Sequence, residues 1–344
     1  MTDFAARLTI WQQQHGRHDL PWQNTRDPYA IWVAEIMLQQ TQVAAVIPYY
    51  RRFVARFPDV ASLAYADEDA VLQLWSGLGY YSRARNLHAA AQLVMEKHGG
   101  NFPQAPETIQ ALPGIGRSTA AAIAAFAFGQ HGAILDGNVK RVLTRHFGVA
   151  GWPGQPAVEK RLWLLAENLL PESGIEAYTQ GLMDLGATLC TRSKPACGDC
   201  PLRADCVARR DNRTAQLPSP KPRKALPERQ TTMLLLLHGN EVLLEKRPPT
   251  GIWGGLWSLP EIMPDEDAQL AAQQRYGLEM EVLTPLPAMA HTFTHFRLQI
   301  TPQPLRLIRH LPQVRQAGVV WLDREDAIGA ALPAPIRNLL RSLK

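Results

Sequence analysis

The chain has 344 residues, 46% of them hydrophobic and 19% charged, with a formal net charge of +5. That length predicts two domains, and the apolar fraction excludes a largely disordered chain. The mild basic excess permits a polyanionic partner without requiring one.

Met1 to His15 contains no apolar run of the kind that opens a secretory signal. The uncharged run Ser118 to Leu135 is Ala-rich and broken by Gly129, Gln130, His131 and Gly132, too weak for a bilayer. A soluble cytoplasmic monomer with no membrane partner is expected.

Asp27-Pro28 reads as an N-cap followed by proline in the first helical turn, with Pro48 as the far limit. From Tyr29 to Tyr50 the single charge is Glu35, and its neighbours at helical spacing are Ile31, Trp32 and Leu38. A carboxyl on an apolar face is predicted to hold its proton toward neutrality, as a general acid requires. A core Glu paired with a distant Arg is the other reading.

Leu112-Pro113-Gly114-Ile115-Gly116-Arg117 lies between helical segments and runs into Ser118-Thr119 and an Ala-rich helix. Two glycines let a ligand approach the backbone, and the helix start offers free N–H groups and a positive dipole end. This predicts a phosphate-gripping hairpin over about residues 108–128. Beyond it, Asp136-Gly137-Asn138-Val139 opens another helix, with Asp136 as its N-cap. Helix N–H groups are expected to hold Asp136 ionised. A neutral Glu35 beside an anionic Asp136 would suit cleavage of a glycosidic bond through a cationic sugar.

All four cysteines fall in residues 190–206: Cys190, Cys197, Cys200 and Cys206. In a reducing compartment, four thiolates on one metal centre are the preferred reading over disulfides. Spacing leaves zinc and a 4Fe–4S cluster both open. Helical texture extends to about Arg213, which makes residues 1–213 an all-α domain.

Residues 214–229 carry four prolines and form a semi-rigid linker in a basic junction. After it, Thr231–Leu237, His238-Gly239-Asn240 and Glu241–Lys246 read as strand, turn, strand. Strands are also expected at His291–Thr301 and Gly318–Leu322, and a last helix at Pro335–Leu343. Residues 230–344 are therefore an α+β domain.

The order of hairpin, Asp136 and Cys quartet resembles the helix-hairpin-helix DNA glycosylases that carry an iron–sulfur cluster, the endonuclease III-like superfamily. Leu20-Pro21-Trp22, the run Glu35 to Gln42 and Gly77 to Leu87 are similar to the MutY-type adenine DNA glycosylases. The resemblance covers nearly the whole chain. It implies one 4Fe–4S cluster per chain on the four cysteines. Its substrate would be duplex DNA with adenine opposite 8-oxoguanine or guanine, which implies a nucleoid-associated enzyme.

By the same resemblance Glu35 protonates the flipped adenine, Asp136 stabilises the sugar cation and Asn138 orients the site. Trp22 walls the adenine pocket. Gln40, Leu78 and Tyr80 fill the gap and meet the opposing base. Leu38, Thr41, Leu112, Gly114, Gly116 and Ser118 lie in DNA-contacting motifs. Arg83, Arg85, Arg192 and Lys194 are expected phosphate contacts. Superfamily members that also cut the backbone carry Lys where this chain has Ser118, so no Schiff base is expected.

Gly251 to Pro260 is similar to the loop entering a Nudix box, but Gln274-Arg275 stands where the box would place its glutamates. Phe293-Thr294-His295 matches the family's 8-oxoguanine recognition loop, with Thr replacing the usual Ser. The linker is expected to dock repair or replication proteins. Three rival readings stay open. A mismatch binder without turnover would need neither carboxylate. A pyrimidine-lesion glycosylase with lyase activity is disfavoured by Ser118, and a nucleotide-pool hydrolase by the missing glutamates.

Overall fold

The computed structural model describes residues 2–222, 225–312 and 318–343. Residues 223 and 224 of the expected linker lie outside the described residues. The chain divides into two compact units: Met1–Tyr65 with Asn86–Arg223, and Ala66–Arg85 with Lys224–Lys344.

The first unit is helical. Helix Pro28–Leu38 starts where Asp27 accepts the Tyr29 N–H at 3.0 Å, with Pro28 pre-set in the first turn. Tyr29, Ile31, Trp32, Val33, Ala34, Ile36 and Met37 are all buried, so this helix is enclosed on nearly every side. The chain leaves it at Gln40, whose φ is +59°. Helix Arg117–Phe128 is buried along Ala120 to Ala125, where small side chains let neighbours pack close. Gly129 in the left-handed region stops it. Helix Gly137–His146 follows, capped by Asp136, whose carboxylate accepts the Val139 N–H at 2.8 Å.

Helix Ile175–Asp184 passes into a π-helical turn, Leu185–Leu189, that delivers Cys190. Asp184 is fully buried. Its carboxylate accepts the Arg17 backbone N–H at 2.9 Å, Arg17 Nε at 2.7 Å and Gln180 Nε2 at 2.8 Å. This ion pair fastens the loop after the first helix, Thr2–His15, to the helix that leads to the cysteines.

The second unit holds an eight-stranded mixed sheet. Its strands are β1 Glu228–His238, β2 Glu241–Lys246, β3 Trp257–Ser258, β4 Glu261–Ile262, β5 Leu278–Val282, β6 Met289–Thr292, β7 Arg297–His310 and β8 Val319–Asp323. The order is β3-β2-β1-β7-β5, with β4 on β1, β6 on β7 and β8 on β2. Among the described residues only β1 and β7 pair in parallel; the other pairs are antiparallel. Helix Ala268–Tyr276 covers one face through Ala271 and Ala272, against Leu234, Leu236 and Met280.

Two expectations need correction here. The run His291–Thr301 is not one strand, because β6 ends at Thr292 and a turn intervenes before β7. In addition, β7 continues past the expected end at Thr301, through Pro302 and Pro304, to His310. Both prolines sit between the β6 pairing, which ends at Ile300, and the β5 pairing, which begins at Leu305. No ladder N–H is required there, and their carbonyls accept from Leu286 and Leu283 at 2.9 and 3.0 Å. Among the described residues no helix is long and apolar enough to cross a membrane.

Asp184→Ala would leave Arg17 without its buried partner. Denaturant unfolding should show a loss of about 3–5 kcal/mol. A loss below about 1 kcal/mol, the ceiling for exposed pairs, would show that the pair does not hold the loop.

Candidate active site and cysteine centre

Glu35 faces a cavity of about 420 Å³ in the helical unit. Its walls include Trp22, Ile31 and Phe126 together with Gln12, His18, Gln23, Asn24, Glu176 and Gln180. The volume suits a nucleobase-sized ligand. Several polar groups in the wall are engaged in shaping it. Gln23 accepts the Leu20 N–H at 3.1 Å and donates to the Arg17 carbonyl at 2.9 Å. Asn24 donates to the His18 carbonyl at 3.1 Å. Trp22 is buried edge-on to Tyr50, with centroids 5.3 Å apart. Arg26 and Glu176 pair at 2.7 Å, both well exposed.

Burial pushes the Glu35 carboxyl up to about 8, and the charge of Asp136 adds to the rise. Glu35 is therefore protonated at neutral pH, and among the described residues no Arg pairs with it. At Asp136 opposing influences meet. Helix N–H groups from Val139 and Asn138, with Arg141 and Lys140, do favour its ionised form, but burial outweighs them and the net shift is upward. The sequence reveals the donors of an N-cap but not the depth at which it sits.

Arg141 binds the residues around Asp136 to the cysteine segment. It donates to Asn138 Oδ1 at 2.8 Å, the Gly186 carbonyl at 2.7 Å and the Cys190 carbonyl at 2.7 Å. Gly186 allows this approach, since a Cβ there would lie 2.6 Å from Asn138 Cβ. Lys140 is held by Glu159 at 2.6 Å. Ser118 uses its hydroxyl to accept the Leu135 N–H at 2.9 Å, so it also places the residue before Asp136.

The hairpin has the expected backbone. Gly114 has φ +78°, and a Cβ on it would strike Asn86 Cβ at 2.7 Å. Gly116 starts helix Arg117–Phe128 with no side-chain cap and open space around it. Both glycines are exposed, whereas Leu112 is buried beneath them. Gln39 bridges toward this hairpin, donating to Thr119 Oγ1 at 3.3 Å and the Gly114 carbonyl at 3.5 Å. Beside it Gln40 is exposed, while Leu38 and Thr41 are half-buried.

Cys190, Cys197, Cys200 and Cys206 line one small cavity. None forms a disulfide. Among the described residues no three His, Cys, Asp or Glu groups are placed to hold a single ion. Burial pushes the Cys200 thiol up to about 11 and raises Cys206, with the neighbouring cysteines adding to both. A set of four crowded thiols needs a cationic centre to become thiolates. Arg145, Arg203 and Arg209 share the lining, and Arg145 donates to Cys190 Sγ at 3.4 Å and to the carbonyls of Thr191 and Arg192. All-thiol donors ringed by arginines fit an anionic iron–sulfur cluster. The side chains of Arg192 and Lys194 are exposed at this loop.

In the second unit, both arginines expected as phosphate contacts are engaged by backbone carbonyls. Arg83 is buried and donates to the Gly79 carbonyl at 3.0 Å; burial pushes it down to about 10. Arg85 donates to the Gly254 carbonyl. Leu78 is also buried, while Tyr80 is 46% exposed at φ +50°. Phe293 packs on Phe296, His291 and Trp253, leaving Thr294 and His295 exposed at the tip of a turn closed by Phe293 N–H to Phe296 O, 2.9 Å. Arg275 and Tyr276 bind the Glu245 carboxylate at 2.9 and 2.6 Å.

Sequence reasoning missed Phe126, Glu176 and Gln180 in the cavity wall. They reach it from two further helices, and Glu176 and Gln180, at i and i+4, carried the only available signal.

Residues 33–168 match the HhH-GPD superfamily base excision DNA repair protein family, and residues 231–342 the NUDIX domain. A thermostable thymine-DNA glycosylase structure is 31% identical with TM-score 0.54, over 60% of this chain and 95% of its own. Endonuclease III in a trapped covalent intermediate with DNA shares the fold, at 21% identity and TM-score 0.52 over 62% of this chain and 99% of its own. Fold and family together define a base-excision glycosylase with a C-terminal Nudix domain. The adenine DNA glycosylase of Buchnera aphidicola subsp. Acyrthosiphon pisum (strain APS) is 35% identical over 99% of this chain and 97% of its own. That of Homo sapiens is 35% identical over 99% of this chain and 74% of its own. The chain belongs to the adenine DNA glycosylase family.

The raised Glu35 carboxyl makes stability depend on pH. Between the ordinary 4.5 and about 8 the unfolded chain releases a proton that the folded chain keeps. Stability contributed below that window is thus lost as pH rises through it, by about 1.4 kcal/mol per unit. Urea midpoints should show Glu35→Gln gaining on the parent from pH 5 to pH 8. Parallel curves would refute the burial of this acid.

Proposed function

We propose that this chain excises adenine opposite 8-oxoguanine or guanine in duplex DNA, by hydrolysis and without cutting the backbone. The observation that carries this reading is a carboxyl raised to about 8 in a nucleobase-sized cavity, in a chain of the adenine DNA glycosylase family.

The target adenine leaves the stack at a cost that is lower at a mispair. Glu35 gives its proton to N7, so that N9 takes the bonding electrons from C1′ as a neutral leaving group. Positive charge then develops on the sugar, and the Asp136 carboxylate, favoured in its ionised form by Val139, Asn138, Lys140 and Arg141, stabilises it. Water adds at C1′ and its proton passes to a carboxylate. Asn138, fixed by Arg141, orients this exchange. Without an amine at Ser118, and with Lys140 drawn to Glu159, the abasic product is left unbroken.

We assign the four cysteines to one 4Fe–4S cluster. Such a cluster would be held by four thiolates, which fits Cys190, Cys197, Cys200 and Cys206 lining a single cavity. When bound, it would anchor the 190–206 loop and present Arg192 and Lys194 to DNA. Gly114 and Gly116 are assigned to a phosphate. Gln40, Leu78 and Tyr80 are assigned to the gap, and Phe293, Thr294 and His295 to the opposing base.

End-labelled duplexes with adenine opposite 8-oxoguanine, guanine and thymine test this directly. Scission at adenine only after alkali, in the two mispairs alone, is expected. Scission without alkali would reveal a lyase, and binding without scission a recognition-only protein. Glu35→Gln should lower base release by at least the order of 10²–10⁴-fold, with mispair binding kept. The parental rate should fall as pH rises through about 8, because the acid form is lost.

His295→Ala should narrow the rate ratio between 8-oxoguanine and guanine opposite adenine. An unchanged ratio would remove His295 from the recognition of that base.

A further inference from the structure

We infer that Arg337 and Ser76 form a latch on the Leu332 carbonyl that sets the shape of the loop Gly77–Tyr81, which makes them positioning residues for adenine extrusion. The inference rests on the gap-filling role proposed above for Leu78 and Tyr80.

The loop has an unusual backbone. Gly77, Gly79 and Tyr80 have φ of 101°, 78° and 50°. Tyr80 has a Cβ, so its left-handed conformation is disfavoured locally and must be imposed by contacts. Some of these are near in sequence: Trp75 Nε1 and Arg83 both donate to the Gly79 carbonyl, at 3.2 and 3.0 Å. The Arg83 guanidinium lies over both the Trp75 and Tyr80 rings, at 5.3 and 5.6 Å.

The ends of the loop are fixed from the far end of the chain. The Ser76 hydroxyl donates to the Leu332 carbonyl at 2.9 Å, and the Tyr81 hydroxyl reaches the same carbonyl at 3.4 Å. Tyr81 in turn accepts the Gly77 N–H at 3.3 Å, so one carbonyl gathers both ends of the loop. Arg337 locks the arrangement, donating to Ser76 Oγ and to the Ala330 carbonyl, each at 2.7 Å. Ser76 and Leu332 are buried. A guanidinium that donates to the Ser76 hydroxyl fixes the direction in which that hydroxyl donates in turn, toward the Leu332 carbonyl.

The test uses the full chain and a duplex in which 2-aminopurine replaces the target adenine opposite 8-oxoguanine, so that fluorescence rises on extrusion. Arg337→Met should extrude with lower amplitude and release adenine about tenfold more slowly in a single turnover, the size of one charge-assisted hydrogen bond. The pH midpoint of release should not move, because Glu35 is untouched, and Arg337→Lys should recover part of the rate. Ser76→Ala carries the same readout if Arg337→Met fails to fold. Parental extrusion and release in Arg337→Met and Ser76→Ala, with slow extrusion in Tyr80→Ala, would overturn the latch alone. Normal extrusion in Tyr80→Ala and Leu78→Ala, with slow extrusion in Arg337→Met, would overturn the gap-filling role and leave the latch standing.

Discussion

A carboxyl kept out of water is the constraint on which the helical unit turns. Glu35 projects from a helix with no polar face, so its ionised form is opposed by burial first and by Asp136 second. The two acids share a low-dielectric region but differ in their donors. Asp136 caps a helix and receives N–H groups and two nearby cations. For Glu35, burial and the charge of Asp136 both act upward. Burial raises both groups; the helix terminus separates them. The site is thus asymmetric because one acid lies mid-helix and the other at a helix start.

The ten-residue helix Gly137–His146 then carries two tasks. Its first turn presents Asn138 beside the Asp136 cap. Arg141 and Arg145, farther along, bind the carbonyls of Cys190, Thr191 and Arg192. The cysteine loop has little regular structure of its own, and these guanidiniums supply hydrogen-bond partners to its carbonyls. Arg141 also holds Asn138, so a shift of Cys190 is felt at Asn138 through one side chain. The close approach depends on Gly186 lacking a Cβ. That glycine lies in the π-helical turn Leu185–Leu189, against Asn138.

What the sequence made legible was local chemistry against a local background. Glu35 stood out because twenty-one neighbouring positions carried no other charge. The hairpin showed in its glycines, and the cysteines in their clustering. The destinations of long side chains were not legible. Arg83 and Arg85 have the composition of phosphate contacts, yet each ends on a backbone carbonyl, one of them 169 residues away. Asp184 gave no signal, because its importance comes from Arg17, far away in sequence. The ionisation of Asp136 was read from its cap, whereas its depth is set by packing. Pro302 and Pro304 lie just beyond the expected strand end, and the pairing register shows the gap that accommodates them.

Composition also draws a boundary at the proline-rich segment, whereas buried contacts draw it elsewhere. Ala66–Arg85 belongs by contact with the C-terminal unit. Gln73, Ser76 and Arg85 reach the carbonyls of Gly329, Leu332 and Gly254, and Asp69 pairs with Lys246. Chain order therefore assigns the Tyr80 loop to the helical half, and contact assigns it to the unit that bears Phe293–His295. If those residues act as proposed, Leu78 and Tyr80 of the gap set share one compact unit with the residues that recognise the damaged base, and Gln40 comes from the helical unit. Proton donation and stabilisation of the sugar cation fall to that helical unit. A segment borrowed in this way lets recognition and hydrolysis be built on separate cores, each with its own packing, while a single chain carries both.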